Sequence, residues 1–311
     1  MINLISVIIA TYNRCQRLKG TLDSLLVQEL NSSFDYEVIV VDNNSNDKTK
    51  EIFESYKEKF NGRLRYIFEP IQGKPYALNT GIKEAKGEII AFTDDDCIVD
   101  KRWVLNISNV FQNKLVDMVG GKVMPILPAS LPKWLSNYKD NLLKYPLMYY
   151  DLGDRYIQFN HNIKIFPIGA NMIVRKSSFN KFGNFQDVGR SEDMAFCYRW
   201  NKLGAKIAYS PDIVVYHYTH PHRLNKSYFR KYFFQVGIDH AEIYQEKYIP
   251  GKHFLSVPIW LYRELILITI KFLISILKFD SNYFLNELKF YYTMGIILNL
   301  HGFGFNFKNL R

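Results

Sequence analysis

The strongest restriction on the fold of this 311-residue chain is a repeated alternation of short apolar runs with amphipathic stretches. Apolar runs lie at residues 6–10, 37–41, 64–68, 88–93 and 118–123. Several of them are continuously apolar, as in strands covered on both faces, and the stretches between them carry apolar residues at helical spacing. The pattern predicts alternating β and α elements, and hence an α/β fold with a mostly parallel, Rossmann-like sheet.

Polar residues follow three of these predicted strands at the point where each strand ends. They are residues 11–14, residues 42–47 and the acidic triplet 94–96. Ligands of an open α/β sheet bind at the carboxyl ends of its strands, so we expect the functional site at this edge. Adjacent carboxylates repel one another unless a cation neutralises them, which favours a metal site. A solvated acidic turn is the alternative for the triplet taken alone.

No glycine-rich phosphate-binding motif follows any of the predicted strands. The absence of GxGxxG and GxxxxGK[ST] there argues against a dinucleotide fingerprint and a P-loop. A bound phosphate would therefore be neutralised by a metal and by side chains. The polar junctions also have a simpler interpretation, because Asn13, Asp42 and Asp47 are residue types that cap helices.

Four segments, in this order and spacing, resemble the signature of the family 2 glycosyltransferases, which have the GT-A fold. They are residues 6–14, 40–45, 73–81 and 94–96, and the resemblance extends from residue 4 to about residue 220. It implies a nucleotide-sugar-binding sheet with a helical appendage, and transfer of a sugar from a nucleotide-diphosphate donor. It also implies a divalent cation, Mg²⁺ or Mn²⁺, both of which accept oxygen ligands.

The resemblance assigns roles to individual residues. Asp94 and Asp96 are the outer acids of the DxD motif, with Asp96 on the metal and Asp94 shared between the donor and the metal. Asp42 is expected to contact the base or the ribose. The other residues expected to line the nucleotide or the donor sugar are Thr11, Tyr12, Arg14, Lys74, Asp95, Gly169 and Asn171.

Residues 192–193 match the family's ED element. By that resemblance Asp193 is the general base that takes the proton of the acceptor hydroxyl, Glu192 assists it, and in-line attack inverts the anomeric centre. The alternative is an ordinary helix start, capped by Ser191, whose acids complement the helix dipole. His217 ends a predicted strand and is expected either to be a third metal ligand or to be structural.

The QxxRW element of processive synthases is missing, so we expect addition of a single sugar. The predicted function is an inverting, metal-dependent transferase that moves a sugar from a nucleotide-sugar, expected to be a UDP-sugar, to a glycan or lipid-linked acceptor in cell-surface polysaccharide synthesis. The alternatives are a non-catalytic nucleotide-sugar-binding protein, a nucleotidyltransferase, and a nucleic-acid binder suggested by the net charge of +10. No nucleic-acid-binding module is recognisable, so nucleic acid is not an expected partner.

We predict a catalytic domain at residues 1–222 and a helical region at residues 223–311. Three separated cysteines without CxxC spacing fit a reducing cytosol, and no signal peptide is expected ahead of the first strand. Residues 254–279 are apolar but interrupted by charges, so a transmembrane span is not expected. The broad apolar face of a helix there favours peripheral binding to the inner membrane face, and packing on the catalytic domain or a dimer partner is the alternative.

Overall fold

The computed structural model describes residues 4–31, 33–135, 141–160, 165–187, 192–245, 252–280 and 283–302. The chain divides into two compact units. The first unit comprises Met1–Leu127 and Met148–Thr219. The second comprises Pro128–Leu147 and His220–Arg311.

The first unit is built on one mixed sheet. Its strands within the described residues are β1 (Leu4–Thr11), β2 (Asp35–Asp42), β3 (Leu64–Phe68), β4 (Ile89–Asp94), β5 (Cys97–Val99), β6 (Met118–Ile126), β7 (Ile157–Gln158), β8 (Met172–Arg175) and β9 (Ile207–Tyr218). They are ordered β3-β2-β1-β4-β8-β6-β9-β5, and β7 pairs with β9.

The sheet is mostly parallel, as predicted. β1 to β4 are mutually parallel, and β6 and β9 are parallel to each other. β8 lies antiparallel between β4 and β6, and β5 and β7 lie antiparallel to β9. The run at residues 118–123 is therefore a strand, but it does not pair with the parallel block because β8 is inserted beside β4.

Both units contain helices. Those described in the first unit are α1 (Cys15–Leu26), α2 (Thr49–Lys57), α3 (Lys74–Glu84), α4 (Trp103–Asn113), α6 (Ser178–Phe182) and α7 (Glu192–Lys202). Those described in the second unit are α5 (Asn141–Lys144), α8 (Lys226–Gln245), α9 (Ile259–Leu277) and α10 (Tyr283–Leu300).

Helices cover both faces of the sheet because successive strand residues point to opposite sides. Val7 and Ile9 of β1 lie in one apolar cluster, which Trp103 of α4 joins. Ile8 of β1 lies in the cluster on the other face, which Trp200 of α7 joins. This two-sided cover explains why the runs are continuously apolar, and it leaves the polar strand ends as the accessible edge.

The second unit contains the predicted helical appendage and a short hairpin. The hairpin pairs β10 (His253–Phe254) with β11 (Val257–Pro258) ahead of α9. α8 and α10 pack closely at two glycines, since a Cβ on Gly237 would lie 2.1 Å from the Tyr292 carbonyl oxygen and one on Gly295 would lie 2.2 Å from that of Phe234. Among the described residues, no helix combines the length and the apolarity that crossing a membrane requires.

Candidate functional site

Three neighbouring strands of the parallel block end at the same edge of the sheet. The last residue of β1, Thr11, lies beside Asp42, the last residue of β2. On the other side of β1, the hydroxyl of Thr11 donates to Asp95 Oδ2 at 2.8 Å. Tyr12 is half-buried in the loop that follows β1. The predicted convergence of the strand ends is therefore present.

The acidic triplet is neutralised by two basic side chains. Lys74, the first residue of α3, donates from Nζ to Asp94 Oδ1 at 2.8 Å. Arg14 Nη1 lies 3.2 Å from Asp95 Oδ1 and 2.8 Å from Asp96 Oδ2. Because Asp96 is completely buried, its charge depends on such a partner. The triplet is thus part of a buried ionic network and not a solvated turn.

Asp94 and Asp95 differ in the pKa of their carboxyl groups. Burial raises the pKa of Asp95 to about 7, although the charge of Arg14 opposes the shift. Burial acts in the same direction on Asp94, but the attraction of Lys74 outweighs it and lowers the pKa of Asp94 to about 2. Asp94 is therefore the more firmly ionised of the two and the better ligand for a cation.

His217, the penultimate residue of β9, faces the acidic triplet. Its Nδ1 lies 2.9 Å from the Tyr218 carbonyl oxygen, and since a carbonyl only accepts, Nδ1 is the donor. A proton on Nδ1 leaves Nε2 available as a ligand atom, and Nε2 lies 3.3 Å from Asp96 Oδ1 and 3.9 Å from Asp94 Oδ2. Acceptor atoms gathered in this way are stabilised by a metal ion between them.

The surrounding donor set fits a divalent cation. Ligand atoms of Asp94, Asp96, Cys97 and His217 all lie within 4.8 Å of one another. Carboxylate oxygens suit Mg²⁺ and Mn²⁺, and an imidazole nitrogen suits a transition metal such as Mn²⁺ better than it suits Mg²⁺. Burial raises the pKa of the Cys97 thiol well above its ordinary value, which makes it a poor ligand, so two carboxylates and one imidazole remain.

One cavity is lined both by Asp94 of the triplet and by the predicted catalytic pair. Its lining includes Lys74, Asp94, Gly169, Glu192 and Asp193. Lys74 Nζ connects the two groups, since it lies 2.8 Å from Asp94 Oδ1 and 3.5 Å from Glu192 Oε1. Burial raises the pKa of Glu192 to about 7, although the charge of Lys74 opposes the shift. Asp94 and Asp193 therefore face one space.

Asp193 is held in a defined orientation at the start of α7. Its Oδ2 accepts a hydrogen bond from the backbone N–H of Gly169 at 2.9 Å, and its Oδ1 accepts one from the N–H of Met194 at 2.8 Å. A Cβ on Gly169 would lie 3.3 Å from the same Oδ2, so glycine gives this carboxylate the room it occupies. The expected cap, Ser191, lies outside the described residues.

Asp42 organises the loop that follows β2. Its Oδ1 accepts from the Ser45 N–H at 2.9 Å, and its Oδ2 accepts from the Tyr66 hydroxyl at 2.6 Å. Asn13 ties the loop after β1 to this loop, because its N–H donates to Ser45 Oγ at 2.9 Å and its Oδ1 accepts from the Asn46 N–H at 2.8 Å. Hydrogen bonds thus connect the two loops at the edge of the sheet. Asp42 therefore stabilises the loop after β2, in addition to any contact that it makes with a nucleotide.

The side chain of Asn171 does not lie where the predicted contact with the donor would place it. Its side chain is completely buried, with Oδ1 accepting from Trp103 Nε1 at 2.9 Å. Its Nδ2 donates to the carbonyl oxygens of Lys122 and Ile213, each at 2.9 Å. Because both amide hydrogens are used, we assign Asn171 to bracing β6, β9 and α4 instead of to the donor.

Gly121 makes room for this brace, and its replacement is a test of the packing. A Cβ there would lie 2.2 Å from Asn171 Nδ2 and 2.3 Å from the Ile213 carbonyl oxygen. We expect Gly121→Ala to lower the free energy of unfolding by about 2–3 kcal/mol, measured by urea denaturation, because backbone atoms cannot move aside cheaply.

The matched control for that substitution is Gly20→Ala in α1. Its Cβ would meet only the flexible Ile98 Cδ1, at 3.3 Å, and alanine favours the helix. We expect a change within about 1 kcal/mol of the wild type, since alanine is about that much better than glycine in a helix. Equal stability of Gly121→Ala and the wild type would contradict the packing described for Asn171.

Similarities of sequence point in the same direction as this geometry. The model of the family described as Glycosyl transferase family 2 matches residues 6–183, more than half of the chain. Glycosyltransferase AglE of Haloferax volcanii is 37% identical over 119 residues, which are 38% of this chain and 39% of AglE. TarS of Staphylococcus aureus, a poly(ribitol-phosphate) beta-N-acetylglucosaminyltransferase, is 34% identical over 96 residues, which are 31% of this chain and 17% of TarS. The matched segments thus span well under two thirds of either relative.

Two solved structures share the fold. Mannosyltransferase PcManGT from Pyrobaculum calidifontis, in complex with GDP-Man and Mn²⁺, has a TM-score of 0.62 at 17% identity, covering 95% of this chain and 86% of its own. S. aureus TarS 1–349, in complex with UDP-GlcNAc, has a TM-score of 0.54 at 21% identity, covering 75% of this chain and 66% of its own. At these identities the likeness shows the GT-A fold. With the family match over residues 6–183, the chain belongs to glycosyltransferase family 2.

Proposed function

We propose that the protein is an inverting, metal-dependent glycosyltransferase that moves a single sugar from a nucleotide-diphosphate donor to a glycan or lipid-linked acceptor. The observation that carries this proposal is the position of Asp94. It belongs to the ligand set with Asp96 and His217, and it also lines the cavity that Asp193 lines. In this proposal a metal bound by Asp94, which would hold the donor diphosphate, and a base for the acceptor hydroxyl would border one cavity.

The metal would be held by Asp94, Asp96 and His217. A divalent ion there would stabilise, as a Lewis acid, the charge that grows on the departing diphosphate. Lys74 places a further positive charge beside Asp94, on the side of the cavity that faces Glu192. Glu192 in turn holds the Lys74 ammonium close to the donor site.

Asp193 acts on the acceptor. Its carboxylate, oriented by the Gly169 N–H, takes the proton of the acceptor hydroxyl while the hydroxyl oxygen bonds to the anomeric carbon. The bond between that carbon and the diphosphate oxygen breaks, and its electron pair leaves with the nucleoside diphosphate. Because the hydroxyl attacks from the side opposite the diphosphate, the anomeric configuration inverts.

We propose a UDP-sugar as the donor and residues 1–222 as the catalytic domain. TarS supports the choice of UDP, because it shares 34% identity over its matched segment and its structure holds UDP-GlcNAc. The name of TarS, which specifies poly(ribitol-phosphate), supports an acceptor belonging to a cell-surface polymer. We place the reaction in the cytoplasm at the inner membrane face, where a lipid-linked acceptor would be reached.

A panel of nucleotide-sugars tests this proposal. Thermal unfolding is measured with UDP-, GDP-, dTDP- and CMP-sugars, each with Mn²⁺, with Mg²⁺ and with excess chelator. We expect a UDP-sugar to raise the unfolding midpoint only when a metal is present, because the diphosphate and the ion bind together. The same donor should then be hydrolysed slowly in the absence of an acceptor.

Each other outcome of the panel has a definite meaning. If no nucleotide-sugar raises the midpoint with either metal, the donor site proposed here is wrong. If a donor binds but is neither hydrolysed nor transferred to any acceptor offered, the protein is a non-catalytic nucleotide-sugar-binding protein. Stabilisation that is equal with metal and with chelator would remove the metal from the proposal.

A further inference from the structure

α9 presents a long apolar face to the exterior of the second unit. Six of its side chains are between 45% and 79% exposed: Ile266, Leu267, Ile270, Leu273, Ile274 and Leu277. At 100° per residue they lie within an arc of about 120° on one side of the helix. Arg263 is the one charged residue of α9 in this arc. Soluble monomers rarely expose a contiguous apolar surface of this extent, so a partner is indicated.

The opposite side of α9 belongs to the core of the second unit. Leu261 is 2% exposed and lies in an apolar cluster with Ala241 of α8 and Ile296 of α10. The hairpin ahead of α9 adds Phe254 to the exposed apolar surface, at 60% exposure, and Tyr262 of α9 donates to the Phe254 carbonyl oxygen at 3.3 Å. One side of α9 is therefore packed against the rest of the second unit, whereas the six-residue apolar face is exposed.

The second unit carries most of the net positive charge of the protein. Its two segments contain fifteen lysines and arginines against seven aspartates and glutamates, a net +8 of the +10 carried by the whole chain. Lys271 and Lys278 are exposed along one edge of the apolar face, beside Glu264. A second copy of this chain would bring another unit with a net charge of +8, which disfavours self-association through this unit. An anionic surface would be attracted.

We propose that α9 binds the surface of an anionic lipid bilayer and lies in the plane of the interface. The six apolar side chains enter the boundary of the acyl chains, and Lys271 and Lys278 lie at the level of the lipid phosphates. Arg263 extends its aliphatic stem along the apolar face and its guanidinium toward the phosphates. The inference rests on the membrane location given under the proposed function, and it does not depend on the transfer reaction.

The test is sedimentation of the full chain with lipid vesicles. We expect the wild type to bind vesicles rich in phosphatidylglycerol, to bind pure phosphatidylcholine far less, and to lose binding as salt is added. A triple variant, Leu267→Glu, Ile270→Glu and Ile274→Glu, should reduce partition into anionic vesicles at least about tenfold, because three carboxylates enter the apolar boundary.

The matched control carries the same kind of change on the first unit. Leu115 and Leu203 are 83% and 54% exposed, and Leu115→Glu with Leu203→Glu should bind vesicles as the wild type does. Unchanged helix content by circular dichroism and an unchanged thermal unfolding midpoint show that the triple variant is folded. Vesicle binding without any transfer activity would leave this inference intact and contradict only the proposed function.

Three results would overturn the inference. The first is a triple variant that binds anionic vesicles as strongly as the wild type. The second is a wild type that binds neutral vesicles as strongly as anionic ones. The third is a wild type that binds no vesicles and is dimeric in analytical ultracentrifugation, with the triple variant monomeric, which would make the α9 face a contact between copies.

Discussion

We expect Asp193→Asn to slow sugar transfer strongly and to leave donor binding unchanged. We expect kcat to fall by about 10²–10⁴-fold, the range over which a general base contributes, because an amide cannot take the proton of the acceptor hydroxyl. The substitution keeps the size of the side chain, and the amide oxygen can still accept from the Gly169 N–H that now binds Asp193 Oδ2 at 2.9 Å. The measurement is kcat for transfer together with the Kd of the nucleotide-sugar in the presence of Mn²⁺.

The control for this variant is Asp154→Asn, the same chemical change at a side chain that is 94% exposed. It should keep the kcat of the wild type. Transfer by Asp193→Asn at the wild-type rate would show that another group takes the proton. An equal loss of donor binding and of kcat would show that Asp193 contributes to the donor site and not to the chemical step.

We expect Asp96→Asn to weaken metal-dependent binding of the donor strongly while the protein stays folded. Asp96 Oδ1 lies 3.3 Å from His217 Nε2, and Asp96 Oδ2 accepts from Arg14 at 2.8 Å, so one carboxylate joins the proposed ligand set to its counter-ion. Loss of groups that only support metal ligands lowers affinity by about 10–100-fold, so loss of a ligand should cost at least about 100-fold. Calorimetric titration of Mn²⁺ in the presence of UDP measures the change.

Asp95→Asn is the neighbouring control. Asp95 faces Thr11 and Arg14, and its carboxyl is not among the groups that converge with His217. We expect a much smaller change in Mn²⁺ affinity than for Asp96→Asn. Equal losses for the two variants would show that the triplet acts through its total charge and not through a DxD pair of ligands.

Local sequence patterns located several strands of the large sheet, but they did not reveal its strand order. The runs at residues 6–10, 37–41, 64–68 and 88–93 are all strands, because continuous apolarity reflects cover on both faces. The short strand β8 begins at Met172, directly after the 3₁₀ turn Gly169–Asn171. The position of β8 between β4 and β6 depends on pairing between segments that are distant in the sequence. Neither segment alone has a sequence pattern that predicts this pairing.

The residues of the candidate site also fall into those that could be predicted from the sequence and those that could not. Acids at the ends of parallel strands meet because the geometry of the sheet requires it, so Asp42 and Asp94 to Asp96 were located from the sequence. The direction in which a side chain points cannot be predicted from the local sequence. We therefore expected Asn171 to contact the donor, whereas its amide faces the core. The place of Cys97 beside His217 was not predicted either, since only the pairing of β5 with β9 puts these two residues opposite each other.

Crystals grown with Mn²⁺ and UDP test the central claim most directly, with diffraction data collected at the manganese absorption edge. We predict one anomalous peak within coordination distance of Asp94, Asp96 and His217 Nε2, with the diphosphate of UDP on the open side of the ion. Bound UDP with no anomalous peak at these three residues, or a peak bound by other residues, would contradict the proposed donor site.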